Sequence, residues 1–226
     1  MRIEAKQMHI RENESLLGAA ERRVLQVMAE HMPDWVNSDH LTLVGLCAML
    51  FAGVSYWAAS WDRRALLVVV LSLAVNWFGD SLDGTLARVR NRQRPRYGFY
   101  VDHVVDLVGT FFLLGGLALS GFMSPLVALG MLVAFLMVEA EVYLATHVRG
   151  VFRMTFMRFG PTELRIILAI GTLYLLHDPT VGLGRAGRFL LFDVGGVIAI
   201  TGMALAMTVS AVRNTRALYK AEPLPR

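Results

Sequence analysis

The sequence predicts an all-α integral membrane protein with six transmembrane helices. Of its 226 residues, 55% are hydrophobic, and they collect in long runs rather than in alternating or striped patterns. A run of about 18 residues or more with few charges can cross the hydrocarbon layer of a bilayer as a helix. Helices are expected because every backbone polar group must find its partner within the lipid. The six runs cover residues 41–60, 65–88, 101–119, 124–147, 163–177 and 189–212, and the fifth of them is short, with 15 residues.

The segment before the first run predicts an amphipathic helix on the membrane surface. Its apolar residues recur at spacings of three and four, its polar residues share the other side, and Glu21 interrupts the apolar stripe. A helix packed on a soluble partner is the alternative. The apolar positions are Leu17, Ala20, Val24, Val27, Met28 and Met32, and the polar ones are Arg22, Arg23, Gln26 and Glu30. We expect a cytoplasmic N-terminal segment at 1–38, one six-helix transmembrane domain at 39–212 and a cytoplasmic tail at 213–226.

Loop charges predict the orientation, because basic residues concentrate on the cytoplasmic side of short membrane loops. Six spans with both termini in the cytoplasm place the arginine-rich connections on one side. We expect no nucleic-acid partner, since the arginines have neither interleaved aromatic residues nor a soluble module. The predicted cytoplasmic side carries Arg88, Arg90, Arg92, Arg94, Arg96, Arg149, Arg153, Arg158, Arg213, Arg216, Lys220 and Arg226, and the outer side Arg63, Arg64, Arg185 and Arg188.

Three glycines near the C-terminal run match the spacing of a dinucleotide-binding motif. They are Gly182, Gly184 and Gly187. Such a site needs a strand before the glycines and a helix after them. We predict no strand before Gly182 and interpret the segment as a flexible turn on the outer side.

Four aspartates lie inside the second and third runs, where each charge costs about 2.5–3.5 kcal/mol on insertion. Asp80 and Asp83 share one face of their helix, and Asp102 and Asp106 share one face of the next, because residues three or four apart are neighbours. The short connection between the runs predicts antiparallel neighbouring helices. Asp80 lies about eight residues, roughly 12 Å, from the arginine-rich end. We therefore expect the four carboxylates to converge in a cavity open to the cytoplasm.

Such a cluster predicts bound metal. Four like charges repel one another unless some protonate or cations bind. Mg²⁺ prefers oxygen ligands and commonly combines a few carboxylates with substrate phosphates. Two ions, Mg²⁺ or Mn²⁺, would clamp a diphosphate and stabilise the attacking and leaving oxygens. The alternatives are aspartates paired with the nearby arginines, and a cation or proton path in a transporter.

Small residues accompany the aspartates. Gly84 and Ala87 lie on the face of Asp80, Arg88 follows where a cation can meet a phosphate, and Gly98 opens the third helix. Residues this small let a flat or bulky group approach the backbone. The alternative is close helix–helix packing through small residues.

The full string is Asp80-Ser-Leu-Asp83-Gly84-Thr-Leu-Ala87-Arg88, nine further residues, then Gly98-Phe-Tyr-Val-Asp102-His-Val-Val-Asp106. It resembles the signature of the CDP-alcohol phosphotransferase family, D-x2-D-G-x2-A-R-x8/9-G-x3-D-x3-D, at every fixed position. The six spans and the amphipathic helix fit the family too. The start of the first run departs from it, because Ser38-Asp39-His40-Leu41-Thr42 lacks the Pro-Asn that often precedes the family's Leu-Thr.

The resemblance implies a membrane enzyme of phospholipid synthesis. A CDP-linked donor would bind with its diphosphate on two metal ions, an alcohol would attack the β-phosphorus, and CMP would leave. Asp106 would be the general base, with His103 as the alternative. The resemblance also implies a homodimer, and we expect the bacterial inner membrane. The implied metal ligands are Asp80, Asp83, Asp102 and Asp106, and the implied donor contacts are Asp80, Asp83, Gly84, Ala87, Arg88 and Gly98.

The acceptor is harder to predict. His103 after Asp102, and the segment Gly160-Pro161-Thr162-Glu163, resemble the choline and ethanolamine phosphotransferase branch. Many members instead use CDP-diacylglycerol and a small polar alcohol, which is our leading expectation. The alternative is an aminoalcohol phosphotransferase acting on a lipid alcohol.

Three glutamates are candidates for an acceptor pocket, namely Glu139, Glu141 and Glu163. Their alternative is an ordinary interfacial role. A UbiA-type prenyltransferase also holds diphosphate through Mg²⁺ on aspartate-rich helices. Its two acidic motifs lie far apart along the chain, whereas here both lie on one helical hairpin.

Overall fold

The computed structural model describes residues 18–149, 160–184 and 187–222, and within them the fold is all-α with one short hairpin. Leu17, Arg153, Arg158, Arg185 and Arg226, which the sequence predictions used, lie outside these residues. The elements are α1 Gly18–Glu30, α2 Ser38–Ala58, α3 Ala65–Val89, α4 Pro95–Ser120, α5 Pro125–Arg149, α6 Pro161–Leu175, β1 Thr180–Gly182, β2 Arg188–Leu190 and α7 Leu191–Ala221.

Five helices, α2 to α5 and α7, are long and apolar enough to cross a membrane. Five of the six predicted runs therefore correspond to candidate spans. The run at 163–177 corresponds to α6, whose 15 residues fall short of a full crossing. The multi-pass membrane class is supported, and the count of six spans is not confirmed. Helix α7 continues to Ala221, so the predicted tail begins as helix.

Helix α2 is the centre of the N-terminal half, because it packs along both α3 and α4. Glycines allow the close approach. A Cβ added to Gly79 would lie 2.5 Å from the Leu41 carbonyl oxygen, and one added to Gly116 would lie 1.9 Å from that of Gly53. The sequence predicted α3 and α4 as direct neighbours. In the structure each packs mainly on α2 and they share few contacts, because the glycines favour α2 as the common partner.

Helix α1 docks on α3 through an apolar face. Leu25 and Ala29 are buried against Leu82 and Leu86 of α3. Met28 and Met32 of the predicted stripe pack against the same cluster. Val24 and Val27 are instead 50% and 56% exposed, so the predicted stripe combined two faces of the helix. A surface position for α1 is not confirmed.

Glu21, the residue that interrupts the stripe, ties three helices together. Its Oε1 accepts hydrogen bonds from Trp77 Nε1 on α3 and from the Thr162 hydroxyl at the start of α6, both at 2.7 Å. Burying a carboxylate costs free energy unless it is hydrogen-bonded. The apparent interruption is therefore a contact that fixes α1 and α6 relative to α3.

The far end of the bundle is closed by apolar packing and a small hairpin. The Tyr56 hydroxyl and Thr172 Oγ1 lie 2.5 Å apart, and Tyr56 packs edge-on against Phe192. Contrary to the prediction of no strand, β1 precedes the glycine-rich turn and pairs antiparallel with β2. The glycines join two strands instead of a strand and a helix, which is not the dinucleotide-binding arrangement.

The hairpin carries an exposed ion pair between Asp178 and Arg188. Hydrogen bonds from the Thr180 N–H and hydroxyl, with the Arg188 guanidinium, lower the pKa of Asp178 to about 2. An exposed pair of this kind contributes little to stability. It serves here as a tie across the hairpin.

Candidate active site

Asp83 is oriented by the first turn of α2. Its Oδ2 accepts a hydrogen bond from the Thr42 hydroxyl at 2.5 Å, and its Oδ1 accepts one from the Gly84 N–H at 2.5 Å. The Ser38 hydroxyl donates to the Asp83 carbonyl oxygen at 2.9 Å. Neither hydroxyl was predicted to belong to the site, although Ser38 and Thr42 stand one helical turn apart. The segment that departs from the family pattern is thus the one that holds Asp83.

Asp80 is paired with an arginine from a distant part of the chain. Arg165 Nη2 on α6 lies 2.5 Å from Asp80 Oδ2, and both side chains are half-buried. The sequence predictions missed Arg165, although a charge inside a predicted span is itself a signal. The alternative of aspartates paired with arginines therefore applies to Asp80, with the cation supplied by α6 instead of the loop after α3.

Asp102 and Asp106 on α4 lie near the aspartates of α3. Asp106 interacts electrostatically with Asp80, Asp102 and Glu139, and with the positive charge of Arg165. Asp83 interacts likewise with Asp80 and Asp102. The two halves of the motif are therefore close in space, and all four side chains are half-buried.

The described residues do not form a closed metal site as they are arranged. Among residues 18–149, 160–184 and 187–222, no three histidine, cysteine or acidic side chains are close enough to hold an ion. Like charges favour separation, and Asp80 and Asp83 are drawn to Arg165 and Thr42. The donor set nevertheless fits a divalent cation. It consists of carboxylate oxygens, and Glu139 on α5 adds a carboxylate that interacts with Asp106.

The small residues of the motif border open space. A Cβ added to Gly98 would meet no described atom within 4 Å, and one added to Gly84 would meet only Arg88 Nη1 at 3.4 Å. Arg88 also donates to the Thr85 hydroxyl at 2.9 Å and so lies along its own helix. Packing against another described helix does not account for these two glycines. Ala87 between them is half-buried.

Comparison with known families agrees with this geometry. The profile described as CDP-alcohol phosphatidyltransferase matches residues 35–211, well over half of the chain, and this range contains the whole motif from Asp80 to Asp106. The chain belongs to the CDP-alcohol phosphatidyltransferase family. A search of curated proteins found no match. As a CDP-alcohol phosphatidyltransferase, the protein is a transferase of phosphate-containing groups in phospholipid synthesis that works with a CDP-linked alcohol donor and an alcohol acceptor.

His103, the alternative base of this CDP-alcohol phosphatidyltransferase, is buried beside the aspartates. Its Nδ1 lies 2.6 Å from the Phe99 carbonyl oxygen. A carbonyl only accepts, so Nδ1 carries the proton and Nε2 is the basic nitrogen of the neutral ring. The ring lies against Phe99, with centroids 4.2 Å apart, and edge-on to Tyr143 at 5.2 Å.

Of the three candidate acceptor glutamates, Glu139 lies near the aspartates. It interacts with Asp106, and with Tyr143 one turn later on α5. Glu139 Oε2 and the Tyr143 hydroxyl are shielded from solvent, and the two side chains are partners of each other. An acidic and a phenolic group therefore lie together beside Asp106.

The other two glutamates have structural contacts. Glu141 Oε1 accepts a hydrogen bond from Asn214 Nδ2 at 2.7 Å and so joins α5 to α7. Glu163 is buried, and its Oε2 accepts from the Gly160 N–H at 3.0 Å, which caps the first turn of α6. A contact of either glutamate with the acceptor stays a prediction.

Proposed function

We propose that this CDP-alcohol phosphatidyltransferase uses Mg²⁺ or Mn²⁺, as two ions, to transfer the phosphatidyl group of CDP-diacylglycerol to a small polar alcohol. The observation that carries the proposal is that aspartates of the two helices are close enough to interact electrostatically, Asp83 with Asp102 and Asp106 with Asp80. Four carboxylates in one cavity are a strong attraction for divalent cations. In this proposal the metal ligands are Asp80, Asp83 and Asp102, and Asp106 adds a fourth carboxylate to the site.

The donor lies where the motif leaves room. The space beside Gly84 and Gly98 accepts the cytidine and its ribose close to the helix backbones. Arg88 contributes a guanidinium, which matches phosphate oxygens in pairs. When bound, the divalent ions neutralise the charge of the diphosphate, which is the main requirement of phosphoryl transfer.

The chain's own residues then align the acceptor and move its proton. Asp106 takes the proton of the acceptor hydroxyl, whose oxygen forms a bond to the β-phosphorus. The bond between that phosphorus and the bridging oxygen breaks, and CMP leaves with the electron pair. A base positioned this way typically contributes 10²–10⁴-fold to the rate. His103 Nε2 is the second candidate for the proton.

An aminoalcohol phosphotransferase, acting on a lipid alcohol, is the second candidate function. It is favoured by the Glu139 carboxylate, which interacts with Tyr143, whose ring lies edge-on to His103. A carboxylate near aromatic rings suits a cationic amino group. The same residues also suit a neutral alcohol, through hydrogen bonds from its hydroxyls to Glu139.

The membrane orientation belongs to the same proposal. The motif aspartates lie toward the end of α3 that leads to Arg88 and Arg90, and basic loops favour the cytoplasm. The site then opens to the compartment where CDP-linked donors and soluble alcohols are made. With α6 as the sixth crossing, both termini are cytoplasmic, the membrane is the bacterial inner membrane, and the enzyme is a homodimer.

Metal removal tests the proposal. We expect purified protein to release CMP from CDP-diacylglycerol with a panel of alcohols when Mg²⁺ or Mn²⁺ is present, and to lose this activity in excess EDTA. Returning Mn²⁺ restores it. The same panel run with CDP-choline, CDP-ethanolamine and diacylglycerol distinguishes the two candidate functions.

Undiminished CMP release in EDTA would contradict the metal-dependent mechanism. Ion flux in liposomes without CMP release from any donor would favour a transporter instead. A donor preference for CDP-choline or CDP-ethanolamine would replace the first candidate by the second.

A further inference from the structure

Arg165 is held beside the aspartate cluster by the fixed start of α6. The first turn of α6 is fixed at two points, by the Glu163 cap on Gly160 and by the hydrogen bond from Thr162 to Glu21 on α1. Arg165 follows on the next turn, where its guanidinium meets Asp80 at 2.5 Å. The two side chains are only 17% and 25% exposed. The contact is therefore shielded from solvent and held by both helices.

Other arginines near this end of the bundle have different partners. Arg90 donates to the carbonyl oxygens of Met32, Pro33 and Val36, which close the turn between α1 and α2. Arg94 pairs with Asp39 at the surface. Arg165 instead directs its charge at the cluster, because it contacts Asp80 and interacts with Asp106 as well.

We propose that Arg165 is an internal counter-ion that competes with divalent cations for Asp80, and that it turns to the donor's diphosphate once a cation is bound. This rests on the proposed metal-dependent function. A guanidinium on one carboxylate oxygen repels a divalent cation brought to the same carboxylate, and more strongly in a shielded site than in water. Displaced from Asp80, the guanidinium remains beside the carboxylate cluster, and its fork of donors matches phosphate oxygens. Arg165 thus neutralises the cluster before metal arrives and adds a phosphate contact afterwards.

Mn²⁺ binding without any donor tests the first half. Electron paramagnetic resonance on purified protein in nanodiscs gives the Kd for Mn²⁺ directly. We expect Arg165→Gln to bind Mn²⁺ about tenfold more tightly than the wild type, because one repelling charge is removed. Arg165→Lys keeps the charge and stays near the wild-type value. Arg188→Gln is the matched control, since it makes the same change in net charge on the hairpin at the other end of α6.

CDP binding at saturating Mn²⁺ tests the second half. Titration calorimetry with CDP should show about tenfold weaker binding to Arg165→Gln, the effect expected for the loss of one charged phosphate contact. A misfolded variant would lose both ligands, whereas the proposal requires one affinity to rise while the other falls. Unaltered CDP binding would overturn the transfer of the guanidinium to phosphate.

Unchanged or weaker Mn²⁺ binding by Arg165→Gln would overturn the competition. Equal tightening in Arg188→Gln would do the same, because the cause would then be net charge. Asp80→Asn separates a failure of the role of Arg165 from a failure of the proposed metal site. If it loses Mn²⁺ while Arg165→Gln matches the wild type, only the role of Arg165 fails. If the wild type binds no Mn²⁺, the proposed metal site fails, and the competition with it.

Discussion

Two groups of glycines have opposite roles in this protein. At the crossings of α2, glycines let backbones touch, and a Cβ on Gly116 would lie 1.9 Å from the Gly53 carbonyl oxygen. In the aspartate motif, Gly98 faces open space and Gly84 meets only Arg88. Without side chains, the first group lets helices close on each other, and the second leaves the space beside it open. The same residue type therefore builds the scaffold in one region and leaves open space beside the aspartates in the other.

The largest effect is expected at the crossing of α2 and α4. Gly116→Val forces these helices apart, because the new Cβ collides with backbone atoms that no rotamer change can move. We expect almost no folded protein by fluorescence-detected size-exclusion chromatography. Gly115→Val is the matched control, since a Cβ at that neighbouring glycine meets no described atom within 4 Å. Equal yields of the two variants would refute the role of the crossing.

In the open region around the aspartates, the first prediction concerns proton transfer by Asp106. Asp106→Asn should lose about 10²–10⁴-fold in single-turnover CMP release, the usual contribution of a general base. Donor binding with metal should persist, because Asp80, Asp83 and Asp102 remain. Titration calorimetry with CDP measures that binding separately. The substitution also removes one charge from a repelling cluster, so we expect no loss of folded protein.

Loss of CDP binding together with turnover would make Asp106 chiefly a metal ligand. His103 would then be the next candidate for the proton. Asp83→Asn is the comparison variant, since a proposed ligand should lose both properties at once. The contrast between the two variants separates proton transfer from metal holding.

Much of this molecule could be predicted from local sequence. Apolar runs of 18 residues or more predicted all five candidate spans of the described residues. The spacing within each aspartate pair predicted the shared helix faces, for Asp80 with Asp83 and for Asp102 with Asp106. Both are properties of a single helix or of one helical hairpin. The family resemblance added the reaction, and the family match confirmed that membership.

The missed features are contacts between distant segments. Arg165 lies 85 residues from Asp80, and Thr42 lies 41 residues from Asp83, so no spacing rule connects either pair. Glu21 was taken for an interruption because its partners Trp77 and Thr162 lie on other helices. In each case a polar group in an apolar setting was visible in the sequence, and its partner was not.

A smaller effect is expected where scaffold and site meet. Thr42 belongs to the glycine-packed helix α2, yet its hydroxyl holds Asp83 at 2.5 Å. Thr42→Val keeps the shape and removes the hydrogen bond to a charged group, which is worth about tenfold or somewhat more. We expect the Mn²⁺ concentration that gives half-maximal CMP release to rise by that factor. Thr42→Ser restores the donor and should stay closer to the wild type, whereas equal defects in both would indicate a packing role.

The smallest effect is expected at Gly98, where the two groups of glycines differ most directly. Gly98→Ala adds a methyl group that meets no described atom within 4 Å, so the melting temperature should not fall through a clash. An exposed helical glycine replaced by alanine even gains about 0.5–1 kcal/mol of helix stability. If the open space receives the nucleotide, the methyl group should raise the KM for CDP-diacylglycerol a few-fold, about 1 kcal/mol or less, while kcat changes little. Unchanged KM would mean that the donor lies elsewhere, and a lowered melting temperature would mean that Gly98 packs against another surface, as Gly116 does.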